Sequence, residues 1–382
     1  MSQKNKVYFE NLNAIRFIAA SLVIIHHIEQ FNVLFHLPNY WNYKGVIVIG
    51  KLGVVLFFVL SGFLISYLIF REHELTHTIS VKKFYIRRIL RIWPLYFIII
   101  FAAFFIFPFV EFFSLPGFGK DFVWSHITHK LILFTAFLPN LVLHAYGMIP
   151  YASHTWSIGA EEQFYLVWPI LNKKIKSKWI LMFFVIFIYL FIKHYMWYLP
   201  HSQYFNIFRA FYKSNPIDCM AIGGIFALIV FENRSIVNKL RKLLFTKIVQ
   251  WVVLLSTIYL MVIGFKMENY HYEFYSVLFG ILIVNFACNE NRIFSIEYPP
   301  LNFLGKISYG LYMYHPIVVV FAIKLCQILN IQSNYIVYPL VFILAIILSS
   351  LSYEFFEKRF IDKKVAYSDI MSGENANFLD KK

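Results

Sequence analysis

The residues best suited to chemistry lie where an apolar chain tolerates them least. Within the first apolar stretch, residues 12–28, stand Arg16 and His27. Eleven residues are close to three helical turns, so on a helix the two share one face about 16 Å apart, while His26 points roughly 100° away. An ionisable group in a bilayer costs about 2.5–3.5 kcal/mol, which makes each one a functional candidate. Imidazole titrates near neutrality and is fitted to take up and return a proton. The plainer alternative is a histidine bonded within its own helix and an arginine that snorkels to the surface.

Three further stretches carry chemistry. In Arg87-Arg88-Ile-Leu-Arg91, Arg88 and Arg91 are helical neighbours whose planar forks suit phosphate; ordinary anchoring at a membrane surface competes with that reading. Between His154 and Pro169, Trp156 and Ser157 lead into Glu161, Glu162 and Gln163. Glu162 falls at a depth close to that of His27, which would let it fix the imidazole's tautomer and raise its basicity. A Glu–Arg lock between helices is the structural alternative. Last, Ser308, Tyr309, Tyr312 and His315 bring hydroxyls and an imidazole into an apolar segment. Spaced three apart, the two tyrosines and the histidine would line a cavity for sugar or pantetheine, or bond neighbouring helices.

These residues need a membrane bundle to position them. Sixty per cent of the chain is hydrophobic and 14% charged, and apolar runs near the roughly 20 residues needed to span recur from end to end. The net charge of +15 is split into short clusters between those runs, as cytosolic loops require, so no nucleic-acid partner is expected. Placing every cluster on one side gives ten spans, at residues 12–30, 46–70, 92–110, 157–171, 179–199, 216–231, 248–265, 272–288, 307–329 and 335–356. Both termini are then cytosolic. Residues 131–143, short and holding Pro139, are expected to be re-entrant or to lie on the surface. The first run lacks a small-residue cleavage site and reads as a mature helix. Cys219, Cys288 and Cys326 read as buried small hydrophobes, and no metal is expected. The fold class is an all-α integral membrane protein of about ten transmembrane helices. One membrane domain covers residues 1–364, and a polar, disordered cytosolic tail covers 365–382.

Together these stretches resemble the acyltransferase 3 family. The resemblance rests on Arg16-x10-His27, Ser61-Gly62-Phe63-Leu64-Ile65, Arg88-x-x-Arg91, Trp156-Ser157 with Glu161-Glu162-Gln163-Phe164-Tyr165, Ser308-Tyr309-x-Leu311-Tyr312-x-x-His315-Pro316, and Ser352-Tyr353-Glu-Phe-Phe-Glu357. Asn13 departs from the usual Asp, and Arg359 stands where Pro is common. The resemblance implies a bacterial inner-membrane O-acyltransferase that moves an acyl group, acetyl first, from cytosolic acyl-CoA to a hydroxyl of an extracytoplasmic carbohydrate. It implies His27, Glu162 and Arg16 as catalytic residues and Arg88 and Arg91 as the donor's anchors. Trp156, Ser157, Glu161, Gln163, Tyr309, Tyr312 and His315 are expected to bind substrate. The expected partners are membrane lipids, the carbohydrate acceptor and, if transfer is not completed by this chain, a separate acyl-accepting protein. The rival reading is a polysaccharide exporter or transporter with an intramembrane polar path.

Overall fold

The computed structural model describes residues 6–331 and 333–372. Three long helices open the chain: α1 (Leu12–Leu34), α2 (Lys44–Thr76) and α3 (Val81–Phe105). Three short ones follow: α4 (Lys120–Trp124), α5 (Ile127–Thr135) and α6 (Pro139–Ala145). Long helices resume with α7 (Trp156–Lys174) and α8 (Lys178–Tyr195); α9 (Gln203–Lys213) leads into α10 (Ile217–Phe231), and α11 (Ser235–Leu244) into α12 (Lys247–Val262). The rest are α13 (His271–Cys288), α14 (Pro299–Lys306), α15 (Ser308–Ile328), α16 (Asn334–Ser352) and α17 (Lys358–Lys364).

Every segment expected to span lies within one of these helices or runs about a turn past its end. Eight helices among the described residues are long and apolar enough to cross a membrane. The α11–α12 pair, bent by 60°, makes a ninth if it is one span. Helix α7 is 19 residues long but carries Glu161, Glu162, Lys173 and Lys174, so its burial has to come from polar neighbours. Residues 131–143 do not form a span: α5 and α6, of nine and seven residues, are broken at Phe137, which sits at φ 57°. Neither reaches across the roughly 30 Å of hydrocarbon.

The outward faces show what the bundle is built for. On α8, Phe183, Phe184, Phe187 and Phe191 are all more than half exposed, as are Val252, Leu255, Tyr259 and Val262 on α12. Apolar side chains at this density belong against lipid. Inside, α2 is the central column, packed by α1, α10 and α13. Lipid tails give no hydrophobic drive for helices to associate, so close packing must hold them together. At the α2–α10 crossing a Cβ on Gly62 would lie 1.9 Å from the Met220 carbonyl oxygen, and one on Gly223 would lie 2.1 Å from that of Val59. The two backbones touch only because both positions are glycine.

One expectation needs correction. The polar stretch from residue 365 does not start as a disordered tail. Val365–Tyr367 continues α17 as a tight turn, and β2 (Met371–Ser372) pairs in parallel with β1 (Lys6–Val7). The Lys83 ammonium bonds both Asp369 carboxylate oxygens at 2.7 and 2.9 Å, Arg87 donates to the Tyr367 carbonyl at 2.8 Å, and Ile370 is buried. Composition alone read this stretch as polar and missed the pairing with α3. Residues 373–382, the rest of that expected tail, lie outside the described residues.

Gly62→Ala should force α2 and α10 apart and destabilise the protein by about 1–3 kcal/mol. Its thermal midpoint in detergent should fall, whereas Gly119→Ala, which has open space around it, should stay within about 0.5 kcal/mol of the parent.

Candidate functional site

A cavity of about 180 Å³ runs along α2 from Leu68 to Val54, roughly 21 Å of helix axis. One end is strongly basic. Arg16 of α1, Arg88 and Arg91 of α3, Lys306 of α14 and Lys364 of α17 all line it, against only two carboxylates, Glu161 and Glu357. Arg16 donates to Asn13 Oδ1 at 2.9 Å. The Arg88 guanidinium lies 5.6 Å from the ring centres of both Phe84 and Tyr165, and its Nε has no hydrogen-bond partner among the described residues. Glu161 accepts from Ser61 Oγ at 2.9 Å and from the Tyr165 hydroxyl at 3.2 Å. Five basic side chains face one low-dielectric space, where burial and then the neighbouring arginines push the Lys364 ammonium well below its usual range. An anion is therefore the ligand that would relieve the crowded positive charge. The middle of the cavity is walled by Phe57, Leu60, Leu64, Ile65 and Ile158.

The other end closes on Ser157 and Tyr312. The Tyr312 hydroxyl bonds the His154 carbonyl and Ser157 Oγ, both at 2.7 Å. Its single proton goes to the carbonyl, which can only accept, so Ser157 is the donor in the second bond. Beyond Tyr312 lies a group of imidazoles. The His315 ring centre is 5.6 Å from Tyr312, 5.1 Å from His154 and 4.7 Å from His27, and His26 follows at 5.3 Å from His27.

Backbone geometry fixes two of these rings. Pro316 has no N–H, so the carbonyl of Tyr312, four residues back, loses its helical donor. His315 Nδ1 supplies the missing bond at 2.6 Å. His27 Nδ1 likewise reaches the Val23 carbonyl, four residues back on α1, at 2.9 Å. A carbonyl only accepts, so both Nδ1 atoms carry hydrogen, and each neutral ring presents Nε2 as a lone pair. His154, just ahead of α7, is held well below the usual imidazole range by burial and then by its neighbour His27, and is therefore neutral.

The structure gathers Arg16, Arg88, Arg91, Ser157, Glu161, Tyr309 and Tyr312 around one cavity, with His27 and His315 in contact behind Tyr312. Three expected residues fall elsewhere. Glu162 Oε2 accepts from Trp93 Nε1 at 3.1 Å, and no hydrogen bond joins Glu162 to His27 among the described residues. Consecutive helical residues point about 100° apart, so only one of the two glutamates can face the cavity, and that one is Glu161. Gln163 bonds the Phe137 carbonyl and Asn140, and Asn215 bonds it in turn; it ties α7 to the α5–α6 segment and to the start of α10. Trp156 packs edge-on against Phe58 and does not line the cavity.

The sequence reading gave no site role to Ser61, His154, Lys306, Glu357 or Lys364. The signal for the last two was present. Tyr353, Glu357, Ile361 and Lys364 recur at helical spacing and all line the cavity, and the π-helical turn at Tyr353–Glu357 is the kind of irregularity found at functional sites.

The chain is similar in sequence to known proteins. The acyltransferase domain family model matches residues 9–354. The peptidoglycan O-acetyltransferase OatA of Listeria monocytogenes is 25% identical over 334 residues, covering 81% of this chain and 49% of its own length. The putative peptidoglycan O-acetyltransferase YrhL of Bacillus subtilis is 26% identical over 375 residues, covering 92% of this chain and 54% of its own length. The O-acetyltransferase OatA of Staphylococcus aureus is 25% identical over 347 residues, covering 85% and 54%. The chain thus spans about half the length of these curated relatives. No solved structure matches.

Nitrogen NMR of histidine-labelled protein should show His27 and His315 with Nδ1 protonated and Nε2 bare. Pro316→Ala restores a helical N–H to the Tyr312 carbonyl, so the His315 signal alone should lose that tautomeric bias; an unchanged His315 signal would contradict the assignment.

Proposed function

Because this chain belongs to the acyltransferase 3 family and is an integral membrane acyltransferase of groups other than amino-acyl groups, we propose that it O-acylates an extracytoplasmic glycan. The donor is acyl-CoA, acetyl-CoA first, drawn from the cytosol. The favoured acceptor is a hydroxyl of cell-wall glycan, the substrate class in the names of the Listeria and Bacillus relatives. The protein sits in the bacterial inner membrane with both termini cytosolic, which puts the basic end of the cavity at the cytosolic face.

One observation carries this reading. A single cavity starts among five basic side chains, passes an apolar wall and stops at Tyr312, with His27 behind it. Coenzyme A has the matching order: charged phosphates at one end, a flexible arm, then the thioester. Arg88 and Arg91 hold phosphate oxygens, assisted by Arg16, Lys306 and Lys364. Glu161, oriented by Ser61 and Tyr165, keeps the Arg88 side of the cavity from being cationic throughout. His27 Nε2 takes the proton from the acceptor hydroxyl, whose oxygen attacks the thioester carbonyl carbon. The carbon–sulfur bond breaks, and the thiolate leaves and takes up a proton. No role in tuning His27 is left for Glu162, which bonds Trp93 instead.

The test is binding and turnover of labelled acetyl-CoA by protein in nanodiscs. His27→Ala should retain donor affinity and lose turnover by about 10²–10⁴-fold. The Arg88→Ala/Arg91→Ala double variant should bind the donor roughly ten- to a hundredfold more weakly, and the wild-type affinity should fall as salt is raised. Neither binding nor turnover by folded wild type would contradict the reading and favour an exporter.

A further inference from the structure

The imidazole group behind Tyr312 is built around unpaired nitrogens. His315 is fully buried with Nε2 lacking a partner, and His154, 6% exposed, has no hydrogen bond at either ring nitrogen among the described residues. The Met313 carbonyl faces the His154 ring as a weak backbone acceptor, outside full hydrogen-bond distance and angle. An unmade bond at a buried polar atom costs about 1–3 kcal/mol, and such atoms are almost always satisfied. Three of them on two touching rings, beside His27, mark a place that a polar partner completes.

The hydrogen inventory specifies that partner. His27 Nε2 and His315 Nε2 carry lone pairs and can only accept, because their Nδ1 protons are committed to the Val23 and Tyr312 carbonyls. Neutral His154 offers one donor and one acceptor. A ligand that donates to two nitrogens and can also accept fits this set. A phosphate dianion, which only accepts, does not fit, and neither does an ammonium, which only donates. Neighbouring hydroxyls of a sugar ring do both. The cluster also lies on the opposite side of Tyr312 from the donor cavity, and the Tyr312 hydroxyl is already engaged by Ser157 and the His154 backbone.

We infer that His154 and His315 form the acceptor subsite, holding a carbohydrate diol so that one hydroxyl meets His27 Nε2 beside Tyr312, at the point where the donor cavity ends. This inference rests on the acyl-transfer reading. The reacting hydroxyl gives its proton to His27 and its oxygen to the new carbon–oxygen bond; the second hydroxyl, bonded to His315 and His154, is unchanged. His154 therefore sets where the acyl group lands, and it has no part in holding the donor.

Membranes from cells carrying the full chain supply their own glycan, and labelled acetyl-CoA is the probe. Donor affinity, ester on the glycan and free acetate are measured together. His154→Phe keeps the bulk and loses both ring nitrogens; glycan ester should fall ~100-fold, with donor affinity within about twofold and acetate becoming the main product. His154→Asn keeps a donor and an acceptor and should retain roughly a tenth of the ester formation. Ester formation by His154→Phe within about threefold of wild type would overturn the subsite. So would a parallel loss of donor affinity, which marks a structural role. If wild type forms no ester from acetyl-CoA, the acyl-transfer reading itself fails and the subsite goes with it.

Discussion

A helix inside lipid cannot leave a carbonyl unpaired, because no water is there to bond it. In α15 that constraint acts at Pro316, which withholds the N–H that the Tyr312 carbonyl needs. His315 fills the gap with Nδ1, so its orientation and tautomer are set by the backbone. His27 on α1 adds an Nδ1 bond to the Val23 carbonyl. Two rings on different helices are thus turned so that their Nε2 lone pairs are free, and the contact between them brings α1 and α15 to one point.

The second organising feature is the segregation of charge. α1, α3, α14 and α17 send basic side chains toward one cavity, while the opposite end is hydroxyl and aromatic surface, with the imidazoles behind Tyr312. The helices around the cavity are packed closely, with α2 touching α10 at Gly62 and Gly223 and β1 paired with β2. An anionic head would be retained at one end and a neutral hydroxylated ligand at the other, with Tyr312 between them.

Much of this was legible in the sequence, for physical reasons. The spans show as apolar length, the arginine pair shows as i, i+3 spacing, and Arg16 and His27 show as polar residues on one face of an apolar helix. Depth along a helix can be counted, but rotation about its axis depends on what packs there. The sequence set Glu162 level with His27 and could not see that Glu161 faces the cavity while Glu162 turns to Trp93 beside Arg88. Gln163 and Trp156 likewise turn to neighbours outside the cavity. His154 was passed over because it precedes its helix, where periodicity gives no direction. The start of the polar tail looked unstructured because two short strands and one ion pair leave no compositional mark.

In the proposed reaction the acyl group enters at the basic end of the cavity and leaves past Tyr312, on the other side of the membrane. Sidedness tests this directly. Membrane vesicles are prepared inside-out and right-side-out, labelled acetyl-CoA is added to the medium, and ester on the glycan is measured. Label on glycan within inside-out vesicles, and none with intact right-side-out vesicles, is the result expected. Equal labelling from both faces, or ester formed only on the side to which the donor was added, would contradict the account.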